Sequence, residues 1–159
     1  MSRDEKIAII RDFVPRLRAL IAGLNPEQLT IQYNPPEWTI AQNIHHLVDA
    51  HINSYLRFKL MLTADNPTLP RIDPQHFAVM PDGTDGHVAD SLLILGGIHA
   101  RWARMMEQTT DWDRTGYYPK LDLTFTLDSL LDSYSRHSNA HYQQIQEVIA
   151  KIPDAERPA

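Results

Sequence analysis

Residues 137–141 read HSNAH, two histidines separated by three residues. Positions four apart on a helix lie about 40° apart around its axis, so His137 and His141 would share a face. Buried side by side, each neutral ring has one donor and one acceptor to satisfy, and a protonated pair would repel. A divalent cation that takes a lone pair from each ring removes the difficulty. The plain alternative is a pair of core histidines bonded to side chains or water. Eight histidines occur in 159 residues, so the spacing by itself decides nothing.

The element that carries the pair is a helix opened by Thr126 and stopped at Pro153. Leu127, Leu130, Tyr134, Ile145 and Val148 project within roughly 80° of His137, and Asp128, Asp132, Gln143 and Gln146 take the other side. Both imidazoles are therefore expected to face a core. Catalytic zinc sites commonly use three protein ligands plus water, so a third ligand must come from elsewhere. A helix predicted over about 39–64, with Thr39 and Gln42 forming a capping box, offers His45, His46 and His51. A helix predicted over about 86–109 offers His99. Projection puts His51 in the middle of its apolar stripe, and His46 on a second face with Asn43, Ala50, Asn53 and Arg57. Periodicity alone mildly favours His51 and leaves His46 open.

A further helix is expected from a Ser2/Glu5 capping box to about Gly23, kinked or split at Pro15. A short helical turn follows Pro26. Residues 66–86 hold four prolines and two glycines, which predicts a long loop serving as a wall or lid. Residues 110–125 read as a loop with extended character around LDLTF. Four long helices without a convincing sheet predict an all-α four-helix bundle, residues 1–159 forming a single domain. The two long connections suggest that it is not simply up-and-down.

Hydrophobic residues make up 43% and charged residues 22%, with 15 basic against 20 acidic side chains. The net charge of −5 gives no basic footprint for nucleic acid or an anionic membrane. There is no cysteine, so thiolate ligands, disulfides and a thiol nucleophile are excluded and a metal site must use histidine, carboxylate and water. The charged N-terminal stretch reads as an amphipathic helix and not as a leader or membrane span, and the expectation is a cytoplasmic protein. Glycine-rich phosphate loops, G-x-S-x-G and H-E-x-x-H are all missing.

WTIAQNIHHLVDAHINSYLRFKLMLT (residues 38–63), GGIHARW (96–102), TGYYP (115–119) and FTLDSLLDSYSRHSNAH (125–141) occur in this order. Together they resemble the DinB/YfiT-like family of metal-dependent enzymes, closest to the YfiT branch. The resemblance implies a four-helix bundle with one divalent metal per chain, zinc or nickel, held by His46, His137 and His141. It implies His46 over His51 as the third ligand, and a cytoplasmic homodimer acting on a small-molecule substrate.

The leading expectation is a metal-dependent hydrolase whose three neutral imidazoles leave the cation its full charge, so that water at an open position is acidified. Asp49 and Asn53 are candidate orienting partners of the ligands, and Arg57 with the 66–86 loop a candidate pocket. Two rivals share the same residues. One is a metal-dependent low-molecular-weight thiol S-transferase. The other is a non-catalytic helical module whose structural metal takes His51, His99 or a carboxylate as fourth ligand.

Overall fold

A computed structural model describes residues 1–156. Its long elements are α1 (Arg3–Leu20), α3 (Ile40–Thr63), α6 (Ala89–Glu107) and α7 (Leu127–Ile149), with short helices α2 (Pro26–Thr30), α4 (Pro74–Phe77) and α5 (Pro81–Thr84) between them. Their starts are written in local chemistry. Ser2 with Glu5, and Thr39 with Gln42, form reciprocal capping boxes, each supplying two of the orphan hydrogen bonds at a helix start. Thr126 does the same for α7 with Ser129. Gly23, at φ 86°, makes the turn after α1 in a conformation that favours glycine.

Two expectations require correction. Pro15 does not split α1, which is continuous from Arg3 to Leu20. Pro15 and Arg11 both lie on the exposed side, so the Arg11 carbonyl that loses its helical donor can be hydrated. The 110–125 segment is also more ordered than a loop. Strands β1 (Thr115–Tyr118) and β2 (Leu123–Thr126) form an antiparallel hairpin in which Gly116 opposes Phe125, turning through Asp122 at φ 50°. Thr68 bridges to Tyr117 in parallel, and this tethers the start of the proline-rich connection. Arg114, just before β1, donates to the carbonyls of Met61, Leu62 and Ala64, capping the negative end of α3.

The four long helices pack in the cyclic order α1, α6, α3, α7. Arg3 pairs with Asp128 and Lys6 with Asp132, so α1 and α7 run parallel. Asn43 meets His141 and Arg57 meets Tyr134, so α3 and α7 are antiparallel. His45 contacts Ser91 and His51 contacts His99, which makes α3 and α6 parallel. The bundle is thus up-down-down-up, with α2 joining α1 to α3 at one end and the connection that carries α4 and α5 returning along the bundle to the start of α6. The core has two apolar clusters. One surrounds Phe13, Leu17, Ile44, Leu47, Leu95 and Ile145, and the other Ile10, Phe58, Met61, Trp102, Met106 and Leu131. Among the buried polar side chains of α3, His51 touches the Phe13 ring of the first cluster and the Trp102 ring of the second.

Candidate metal centre

His46 of α3 and His137 and His141 of α7 converge, each offering one ring nitrogen within 4.8 Å of the others. The Nε2 atoms of His46 and His137 are 3.2 Å apart. Two imidazoles sharing a tetrahedral zinc at the usual 2.0–2.1 Å bond length hold their nitrogens about 3.3 Å apart. His46 is 6% exposed and His141 9%, so the rings sit at the wall of the bundle rather than on its outside.

The orientation of His141 follows from its neighbour. The Asn43 amide nitrogen donates to the Thr39 carbonyl at 2.9 Å, which aims its Oδ1 at His141 Nδ1, 2.7 Å away. An amide oxygen only accepts, so His141 Nδ1 donates and Nε2 keeps the lone pair. His46 is held by packing: its ring lies 4.9 Å from that of Trp38, and its Nδ1 is buried without a hydrogen-bond partner. His137 Nδ1 contacts His51 Nε2 at 3.0 Å. Three imidazoles with nitrogens turned toward one point, and no carboxylate among them, form a neutral donor set suited to a borderline divalent ion.

Burial pushes the three rings toward their neutral forms. His46 and His141 are lowered to about 4 and His137 to about 3, by burial first and then, for the α7 pair, by neighbouring imidazoles. His99 is lowered to about 4, again by burial. The ordinary value of 6.5 applies to the unfolded chain, which therefore binds more protons than the folded one below that pH. Metal-free protein should lose stability as pH falls from about 6.5 toward about 4, by on the order of 1 kcal/mol per pH unit for each ring. Thermal melts in chelator between pH 7.5 and 4.5 check this. An unchanged midpoint would mean that these rings are not buried neutral.

Two cavities flank the centre. A cavity of about 430 Å³ is lined by Trp38, Asn43, His46, His141, Gln144 and Glu147, with Pro74 and Gln75 of the 66–86 connection closing one side. This connection is anchored by the Gln42 side chain, which donates to the Ala78 carbonyl. A smaller cavity of about 170 Å³ opens on His137 and is lined by Arg57, Leu69, Tyr118 and Tyr134. The connection thus forms a wall, and two short helices stiffen it.

The remaining sequence candidates fall elsewhere. Asp49 does not reach the three histidines. Its charged neighbours are Asp82 and His45, and burial raises its pKa. Asn53 is buried with its Nδ2 unpartnered and bonds none of the three. His51 and His99 are buried beside one another, their rings nearly parallel (6°) with centroids 4.9 Å apart, and neither joins the converging group. Periodicity had favoured His51 because α3 faces α6 and α7 at once, so its apolar stripe points between them. Asn43 was read only as part of a polar face. Its pairing with a residue 98 positions away leaves no local signal.

The DinB superfamily pattern matches residues 13–145. The chain belongs to the DinB superfamily. Within it, the chain is 31% identical to the Bacillus subtilis protein named "Putative metal-dependent hydrolase YfiT", over 94% of this chain and 85% of that one. A Geobacillus thermodenitrificans relative named "Putative metal-dependent hydrolase" is 42% identical over 109 residues, and the match spans 69% of this chain and 61% of the relative. The solved structure of B. subtilis YfiT, described as having an unusual four-helix bundle topology, superposes with a TM-score of 0.90 at 30% identity, covering 96% of this chain and 90% of that one. The structure of a mycothiol-dependent maleylpyruvate isomerase is similar in fold, at a TM-score of 0.61 and 15% identity, over 98% of this chain and 66% of the other. Among the described residues no helix is long and apolar enough to cross a membrane.

Proposed function

We propose that the chain is a metal-dependent hydrolase of a small-molecule substrate, with His46, His137 and His141 as the ligands of one divalent ion, zinc or nickel. The observation that carries this reading is the convergence of three neutral ring nitrogens from two helices, beside a cavity of about 430 Å³, within the usual size of small-ligand sites. When bound, a divalent cation supplies Lewis acidity, polarising a carbonyl or phosphoryl oxygen and acidifying water. Because the imidazoles bring no negative charge, they leave that acidity undiminished. Glu37 and Glu147 are the carboxylates lining the larger cavity.

Arg57 is the substrate contact on the other side. It is 8% exposed, donates to the Pro70 carbonyl and the Tyr134 hydroxyl, and stacks on Tyr118 at 4.6 Å. Among the described residues no carboxylate pairs with it. A buried guanidinium without a counter-charge favours an anionic or strongly polar oxygen in the cavity next to His137.

The test is a panel of carbonyl and phosphoryl esters and amides, with metal-free and metal-loaded protein. Turnover that appears only with metal supports the hydrolase, and Arg57→Met should then raise KM about tenfold while leaving metal content intact. Thiol S-transfer is the rival that the polar lining of the larger cavity, with Asn34, Gln75 and Gln144, would also serve. Consumption of a low-molecular-weight thiol with an electrophile, and no hydrolysis, would replace the leading reading. Cytoplasmic location belongs to the same proposal, and so does homodimer assembly. Ile52, Leu56, Leu93 and Ile94 of α3 and α6 are exposed apolar side chains of the kind an interface between copies would cover. A monomer by light scattering would remove the dimer.

A further inference from the structure

One chain of hydrogen bonds links all four long helices and ends at the candidate metal centre. His99 Nδ1 on α6 lies 2.6 Å from the Ile10 carbonyl on α1. His99 Nε2 lies 2.6 Å from His51 Nδ1 on α3, and His51 Nε2 lies 3.0 Å from His137 Nδ1 on α7. His99 is 1% exposed and His51 is fully buried. Phe13, Trp102 and Tyr134 rings surround them.

The direction of every bond follows from its first member. A carbonyl oxygen only accepts, so His99 Nδ1 carries a proton and donates it. A neutral imidazole has one N–H, so His99 Nε2 is an acceptor and His51 Nδ1 must be the donor. His51 Nε2 is then an acceptor, and His137 Nδ1 donates to it. This leaves the lone pair of His137 on Nε2, the atom that sits 3.2 Å from His46 Nε2. Rings held in an apolar shell without a carboxylate partner stay neutral, so each link has a single polarity. Among these imidazoles no other arrangement of protons satisfies all three contacts.

We infer that His51 and His99 are positioning residues for the metal centre, which pass the acceptor character of the Ile10 carbonyl through two rings and thereby fix His137 in the tautomer that offers Nε2 to a cation. The inference rests on reading His46, His137 and His141 as ligands. It also accounts for two buried histidines that the centre does not use directly. The device matches the role Asn43 plays for His141, with two imidazoles in place of one amide. Outer partners of this kind set the orientation and basicity of a metal-bound imidazole.

Nitrogen-15 and proton correlation spectra of histidine-labelled, metal-free protein near pH 7.5 test the polarity directly. The expected pattern is a protonated Nδ1 and a bare Nε2 at His51, His99 and His137 alike. A proton on Nε2 of His137 would overturn the inference, whatever the protein binds. The second arm is zinc affinity by competition with a chromophoric chelator. His99→Phe keeps the ring packing but removes the acceptor, and should weaken zinc binding about 10–100-fold. His99→Gln, which returns an acceptor oxygen toward His51, should recover most of that loss. Equal affinity in wild type and a folded His99→Phe would sink the proposal. Failure of wild type to bind zinc would instead sink the ligand assignment, while the spectra still decide the tautomers.

Discussion

Alanine at position 141 is expected to strip the protein of stoichiometric metal while leaving the bundle folded. His141 supplies one of three converging nitrogens, and its removal leaves two. Losing an outer partner of a ligand commonly costs 10–100-fold in affinity. Deleting the ligand itself should cost more, at least about a thousandfold on that scale. The fold should survive because His141 lies at the cavity wall, 9% exposed, and the apolar contacts of α7 are carried by Leu127, Leu130, Leu131, Ile145 and Val148. The Asn43 oxygen, freed of its partner, would face the enlarged cavity and can be met by water. Metal content by elemental analysis, with circular dichroism as the fold check, reads the result. Full metal content in His141→Ala would contradict the assignment, and any metal-dependent turnover should vanish in parallel.

Trp102→Ala should be the most damaging single change to the fold. The indole is fully buried and contacts Phe58, Tyr134, His51 and His99, with ring centroids 5.7–6.5 Å away. Truncation of a buried tryptophan costs about 3–5 kcal/mol, a large share of the roughly 5–15 kcal/mol that holds a domain together. The cavity left behind would open beside His51 and His99, so the loss extends to the shell behind the candidate centre. Trp102→Phe should cost much less. It keeps a ring in place and removes the indole Nε1, which is buried without a partner. Urea midpoints converted at a common slope give the comparison. A cost below about 1 kcal/mol for Trp102→Ala would mean that the packing around the α3–α6 contact relaxes freely.

The parts of this architecture governed by neighbours in sequence were legible before any coordinates. The Ser2/Glu5 and Thr39/Gln42 caps and the helical turn after Pro26 each depend on residues within four positions, and each stands in the structure. The alternative of a split at Pro15 is not realised, because the cost of a proline depends on whether the carbonyl it orphans meets water, a matter of exposure. The extended character expected around LDLTF corresponds to β2, whereas its partner strand β1 left no signal because Gly116 is shaped by what packs on it. A side chain there would meet Leu69 and Met61, far away in sequence.

The candidate centre divides along the same line. His137 and His141 were placed on an inward face by spacing alone. The choice between His46 and His51 turns on which neighbouring helix each face meets, and the pattern of one helix does not carry that information. The resemblance to known sequences favoured His46, and the geometry brings His46 to the α7 pair while His51 sits behind His137. Asp49, expected as an orienting partner of the ligands, is instead half-buried near Asp82. The groups that orient the α7 rings are Asn43 and His51.

The proposed chemistry requires one ion held by three imidazoles with a position left for substrate or water. X-ray absorption at the metal edge, on protein purified without a histidine tag and reconstituted with one equivalent of zinc, measures this directly. The predicted spectrum shows three histidine nitrogens at about 2.0 Å and at least one light solvent ligand. Four protein ligands with no exchangeable position, or zinc that fails to bind stoichiometrically, would contradict it.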